Sequence, residues 1–348
     1  MSRRNLISLV IGSFVILFVL SVASFASAAQ SLPPLPGQHP WSHRGQGPGR
    51  GGFSPATGPQ TPVLEPPEWP YDQVDGDVVA DPAVGAGGSV YFGSTDGVFY
   101  ALHPSAPTTE ALLKWRFEAQ AAIRSAAAIK SAPHADDPSR VYFTSEDGRV
   151  YSLDMQGGEV WSETLQTSVD PRSAPALGRA PATNRVRVYL ATDSGIYGLE
   201  ETIVGVSPSV NVLWHEPTVQ SARSVAVSPD GERVYATAGG SFYVLQTSPS
   251  PGTQVMDEVS LGGDLTGPVL DQDERAYVGS DDGTVYQMDA RGGVVMTSDQ
   301  FGAPVTVEPA LAPEEGLAVV SGDVLHLSHR DLITRAWRFT STAQVPAW

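Results

Sequence analysis

The chain has 348 residues, 41% hydrophobic and 17% charged, with 35 Gly, 29 Pro and no Cys. A core of ordinary size can be buried, and the lack of Cys excludes disulfide staples, thiolate metal sites, a cysteine nucleophile and the lipid-bearing Cys of a bacterial lipoprotein. A formal charge of −17, from 21 basic and 38 acidic residues, argues against nucleic acid as a partner.

Residues 1–28 have the three parts of an export signal. Arg3 and Arg4 form a basic start, Leu6 to Phe25 carry no charge, and Ala26-Ser27-Ala28 is a small-x-small cleavage site. A run of roughly 20 apolar residues also suffices to span a bilayer. Two readings therefore stand: a cleaved signal peptide, or an uncleaved inner-membrane anchor through residues 6–25. Both place the rest of the chain outside the cytoplasm, periplasmic or extracellular, because the arginines stay inside. Any membrane contact would run through an uncleaved N-terminal segment.

Residues 29–68 are rich in Pro and Gly and lack periodicity, as expected of a linker and leader segment. His39 and His43 stand at H-x3-H spacing there, but without a helix to align them they read as loop residues rather than a metal pair.

From residue 69 to 348 the chain repeats itself. Five segments carry a strand, a tight turn and a second strand: 90–102, 141–153, 188–199, 234–245 and 276–288; a degenerate sixth lies at 317–327. The first Tyr of each falls at 91, 142, 189, 235 and 277. The apolar positions are β-branched or aromatic, as strands prefer. Asp96-Gly97, Asp147-Gly148 and Asp282-Gly283 mark hairpin turns, where Gly supplies positive φ without steric cost. A strand of small residues precedes each unit, as in IRSAAAI (123–129) and PRSAPAL (171–177), and suits an innermost strand crowded around an axis. A fourth element closes each unit, with Trp69, Trp115, Trp161, Trp214 and Trp337 at one position and Met256 and Thr297 at that place in the two units between.

Four short strands per ~45-residue unit predict an all-β fold, a β-propeller of about six to seven four-stranded blades. The five Trp are expected to wedge neighbouring blades apart, since a blade cannot hide both faces alone. Seven outer positions against six full units leave closure open: in the simplest account Trp69-Pro70-Tyr71 completes a composite last blade with the C-terminus; otherwise six blades close with an extra strand, or the ring is open or truncated.

AYVGSDDGTVYQMDARGG (276–293), the Asp154–Trp161 turn and the segment 40–62, with Pro40-Trp41 and Ser54-Pro55, resemble the pyrroloquinoline-quinone (PQQ)-like repeat family. That resemblance implies a propeller but covers both enzymes and non-enzymes. The family's quinoprotein dehydrogenases use a catalytic Asp, PQQ and Ca²⁺, and alcohol-oxidising members often add adjacent cysteines. This chain has no Cys and no long insertions between units. Asp96, Asp147 and Asp282 read as turn formers. Asp271-Gln272-Asp273-Glu274 lacks the ligand spacing of a calcium loop, and His326 and His329 fall on opposite faces of a strand. The sequence thus favours an exported, non-catalytic scaffold without cofactor, whose partners are envelope or secreted proteins. A PQQ-dependent oxidoreductase or a carbohydrate-binding propeller are the alternatives.

Overall fold

A computed structural model describes residues 71–340 apart from 72, 86–87, 104–111, 131–138, 166–173, 205–206, 251, 299, 313–315 and 330–334. Residues 1–70, which include the expected export signal and linker and Trp69, lie outside the described residues. Within them are six four-stranded antiparallel sheets in simple meander order, one per repeat, spanning 83–118, 128–164, 176–216, 222–260, 269–297 and 310–340. The protein is a β-propeller, and these sheets are its blades, numbered one to six below.

The small residues read as inner strands do lie there. The residue paired with the second-strand Tyr is Ala83, Ala128, Ala176, Ala226 and Val269 in blades one to five, each buried.

Blades meet through discrete apolar clusters. Phe99, Ile129, Phe143 and Leu153 join the first two blades. Val150, Trp161, Leu190 and Leu199 join the second and third. Further clusters join the third to fourth, fourth to fifth and fifth to sixth. Phe99 and Phe143 stack across the first of these seams with centroids 4.2 Å apart. Second strands sandwiched between two neighbours are buried at every residue in blades two, three and five, as in Val186–Thr192, and at all but the two end residues of Arg233–Ala238 in blade four. In the sixth blade, Gly316–Ser321 alternates between buried and half-buried, so among the described residues only one of its faces has a neighbour.

The ends of the described chain correct one expectation. Tyr71 does not contribute to a composite last blade, because blade six draws all four strands from 310–340. Tyr71 and Val74 instead cover the outer face of blade one, against Phe92, Tyr100 and Leu102. Tyr71 meets Tyr100 edge-on at 6.1 Å.

A second correction concerns the outer strands. Every blade carries a one-residue bulge between its third and outer strands. The residue paired just before that bulge is Trp115, Trp161, Trp214, Asp257, Met296 and Trp337 in chain order. Counting from spacing alone assigned Met256 and Thr297, but pairing moves the position to Asp257 and Met296. Met256 is 60% exposed.

Candidate functional site

The acidic turn residues are consumed by their own turns. Asp96 Oδ1 accepts the Val98 amide at 2.8 Å, and its other oxygen accepts the Tyr100 hydroxyl at 3.0 Å. Asp147 does the same with the Arg149 amide and the Tyr151 hydroxyl at 2.9 and 2.5 Å, and Asp282 with Thr284 and Tyr286 at 2.8 and 3.4 Å. Gly97, Gly148 and Gly283 follow at φ 85°, 80° and 86°, the left-handed residue that closes such a hairpin. The repeat therefore reads D-G-x-x-Y because a carboxylate clasps an amide two residues on and a phenol four residues on.

Other acidic stretches behave alike. Asp271 Oδ1 accepts the amides of Asp273 and Arg275, both at 2.9 Å, and Oδ2 accepts the Tyr277 hydroxyl at 3.1 Å. Asp154 and Asp289 each clasp two amides of their Gly-Gly turns at 2.8 Å. His326 is buried edge-on to Phe301 at 4.8 Å. Among the described residues no group of three or more His, Cys, Asp and Glu could hold a metal ion.

These clasps set the pH range of stability. At Asp96, burial disfavours the charge, but the Val98 amide, the Tyr100 and Ser94 hydroxyls and the Gly76 amide outweigh it and hold the carboxyl below its ordinary value. Asp282 is held low against burial by Thr284, Ser280 and Tyr286, and Glu216 by Thr218, Thr253 and the Gln254 amide. Burial, then Asp96, pushes the Tyr100 phenol up; burial, then Glu274, does so for Tyr235. A lowered carboxyl stabilises the fold above its unfolded pKa and loses that contribution as pH falls through its folded pKa. A raised phenol contributes fully below its unfolded pKa and loses this as pH rises beyond it. The melting temperature is therefore expected to be flat between about pH 5 and 9 and to fall below about pH 4 and above about pH 10. A thermal melt series across pH 3–11 checks this; a maximum at pH 4 would contradict it.

The seams between blades carry a second repeated device, anchored on the residue four past the third-strand Tyr of the following blade: Met155, Glu201, Thr247 and Ala290. Second-strand Tyr and outer-strand Trp of the preceding blade reach across to it. In the first seam Trp115 Nε1 donates to the Met155 carbonyl at 2.9 Å, and the Tyr91 hydroxyl meets the Met155 sulfur at 3.4 Å. In the second seam the anchor is a carboxylate. Glu201 Oε1 accepts from Arg140 at 2.7 Å, Tyr142 at 2.9 Å and Trp161 at 2.8 Å, with the Lys130 ammonium 3.9 Å from Oε2. In the third, Trp214 Nε1 and Arg187 Nη1 both donate to the Thr247 carbonyl at 3.0 Å. In the fourth, the Tyr235 hydroxyl donates to the Ala290 carbonyl at 3.1 Å and to Glu274 at 3.0 Å, which also takes Arg233 at 2.8 Å.

Trp161 and Trp214 are buried at these seams and Trp115 is half-buried against Gly157, where a Cβ would lie 2.7 Å from the indole. Trp337 pairs with Leu327 in the sixth blade. Glu201 has no counterpart in the sequence reading, and Glu274 enters it only within the acidic stretch 271–274, not as an anchor. Their one sequence signal is the repeated Arg-x-Tyr of the second strand, at Arg140–Tyr142, Arg187–Tyr189 and Arg233–Tyr235, which presents a cation and a phenol on one face.

Among comparisons with known proteins, the family model described as outer membrane protein assembly factor BamB matches residues 67–246. The crystal structure of BamB from Moraxella catarrhalis is similar with 15% sequence identity and a TM-score of 0.40, covering 74% of this chain and 81% of that one. No curated protein matches the sequence significantly.

Proposed function

We propose, because the chain belongs to the outer membrane protein assembly factor BamB family of PQQ-like repeat proteins, that it is an exported, non-catalytic β-propeller scaffold that presents its blades to envelope proteins. The observation that carries this reading is the family match across 67–246. Two features of the molecule support it. The turn aspartates Asp96, Asp147 and Asp282 are spent on their own hairpins. The conspicuous tryptophans Trp161 and Trp214 lie buried between blades rather than presented to a sugar. Export rests on residues 1–28, whose basic start, apolar run and small-x-small site direct a chain across the inner membrane.

The full chain carrying a photo-crosslinking residue at exposed Val212 or Val294, expressed in a Gram-negative host and probed by protease accessibility after outer-membrane permeabilisation, tests the reading. Protection before permeabilisation, cleavage after it, and discrete crosslinks to envelope polypeptides are expected. Retention in the cytoplasm would overturn it. So would stoichiometric binding of PQQ and Ca²⁺ with substrate-dependent dye reduction.

A further inference from the structure

We propose that the junction between the sixth and first blades is a docking groove for the chain's own leader, with the stretch that ends at Trp69 packed there as a wedge. The inference does not rest on the scaffold reading. It comes from comparing this junction with the seams inside the ring.

Three of those seams share a device at the start of the following blade. The carbonyls of Ala122, Asp264 and Pro304 in blades two, five and six accept the hairpin amides of Glu146, Asp281 and Gly322, as Asp77 accepts that of Thr95 in blade one. The next residue is Ile123, Leu265 and Val305 in blades two, five and six. Each is buried, and each donates its amide to a hairpin carbonyl of the preceding blade, Ser94, Gly239 and Ser280, at 3.0, 2.9 and 3.0 Å. In blade one the same position is Val78. It is 38% exposed, and among the described residues its amide makes no such bond to the sixth blade.

The sixth blade shows the other wall. Leu317 and Val319 face blade five, so Ala318 and Val320 face away from it. Leu327 and Leu325 stand directly opposite these two in the register and share their face. All four are half-buried. Where blades one to five place a buried Tyr against the inner strand, blade six has Ala318. Tyr91, Tyr142 and Tyr235 reach across their seams from that position; a methyl group cannot. Among the described residues no apolar cluster joins blade six to blade one.

The path of the chain identifies the occupant. Tyr71 and Val74 lie on the blade-one wall, against Phe92, Tyr100 and Leu102. The residues just before Tyr71 are therefore tethered at the groove at high effective concentration. Trp69 precedes Trp115 by the same interval that separates Trp115 from Trp161, so the repeat itself supplies an indole ahead of blade one. Pro66, Pro67 and Pro70 favour an extended backbone and reduce the entropy lost on docking. Such a segment suits a groove with an aromatic wall.

The purified full chain carrying a photo-crosslinking residue at Leu327 is irradiated at low concentration and the products are mapped by mass spectrometry. Crosslinks within one chain to residues 61–70 are expected. Crosslinks to a second copy, crosslinks to blade one alone, or none at all would overturn the proposal. The chain has no Cys, so Val320→Cys reports on the groove directly. Its alkylation by a maleimide is expected to quicken about tenfold when Trp69→Ala is added, while Val295→Cys, at a site 52% exposed on an outer strand, is unaffected. An unchanged rate at position 320 would also overturn the proposal. The crosslinking result stands even where Trp69→Ala fails to fold.

Discussion

Replacing Glu201 with Gln is expected to lower the stability of the propeller by about 3–5 kcal/mol. The substitution keeps shape and volume but removes the charge on which Arg140, Tyr142 and Trp161 converge and which faces Lys130. Arg140 is 9% exposed at the side chain, so it cannot recover its lost partner from water. A buried pair contributes little net stability because desolvation offsets attraction, yet removing one member strands the other at full cost. The same logic predicts that Glu201→Gln combined with Arg140→Met recovers much of the loss, since the stranded guanidinium is then removed. Urea denaturation followed by circular dichroism of the three proteins measures both steps. A cost below 1 kcal/mol for the single variant would show that this hub does not hold blades two and three together. The corresponding Glu274→Gln, whose partner Arg233 is 26% exposed at the side chain, should cost less because water reaches the orphaned cation.

The contrast between these two glutamates shows what the sequence could and could not disclose. The D-G hairpins and the small inner strands were legible because each is fixed by residues adjacent in the chain: Asp96 clasps Val98 and Tyr100 within four positions. The outer position in blades four and five was misplaced because counting from one Trp to the next cannot see a bulge, and the bulge is what selects Asp257 over Met256. Glu201 was invisible for a different reason. It is one of two adjacent glutamates within the strand Gly195–Val204, and its neighbour Glu200 turns the other way to pair Arg187 and Arg185. Which of the two becomes the anchor is decided by the side of the sheet that faces the preceding blade, about 60 residues away in sequence. The place of Tyr71 was likewise set by contact rather than by pattern, since its ring finds Tyr100 of blade one and not the blade that closes the chain.

Trp214→Ala is expected to cost about 3–5 kcal/mol, as for truncation of a large buried aromatic. The indole is 7% exposed, packs beside Tyr189 at a ring separation of 5.9 Å, and donates Nε1–H to the Thr247 carbonyl across the third seam. It lies flat on Gly198, where a Cβ would come within 2.4 Å of the ring. The glycine is therefore half of the wedge, and the cavity left by Ala cannot be filled by the strand behind it. Two further variants separate the contributions. Trp214→Phe keeps most of the apolar area and loses the hydrogen bond, leaving the Thr247 carbonyl to Arg187 alone, so it should cost about 1–3 kcal/mol. Met256→Ala, at the position that spacing alone would have called equivalent, is exposed and should change stability by no more than about 0.5 kcal/mol. Denaturation midpoints followed by far-ultraviolet circular dichroism, which does not depend on the indole removed, rank the three. If Trp214→Ala proved no more costly than Met256→Ala, the indole would not be a wedge between blades, and the energetic distinction drawn here from the bulge register would fail with it.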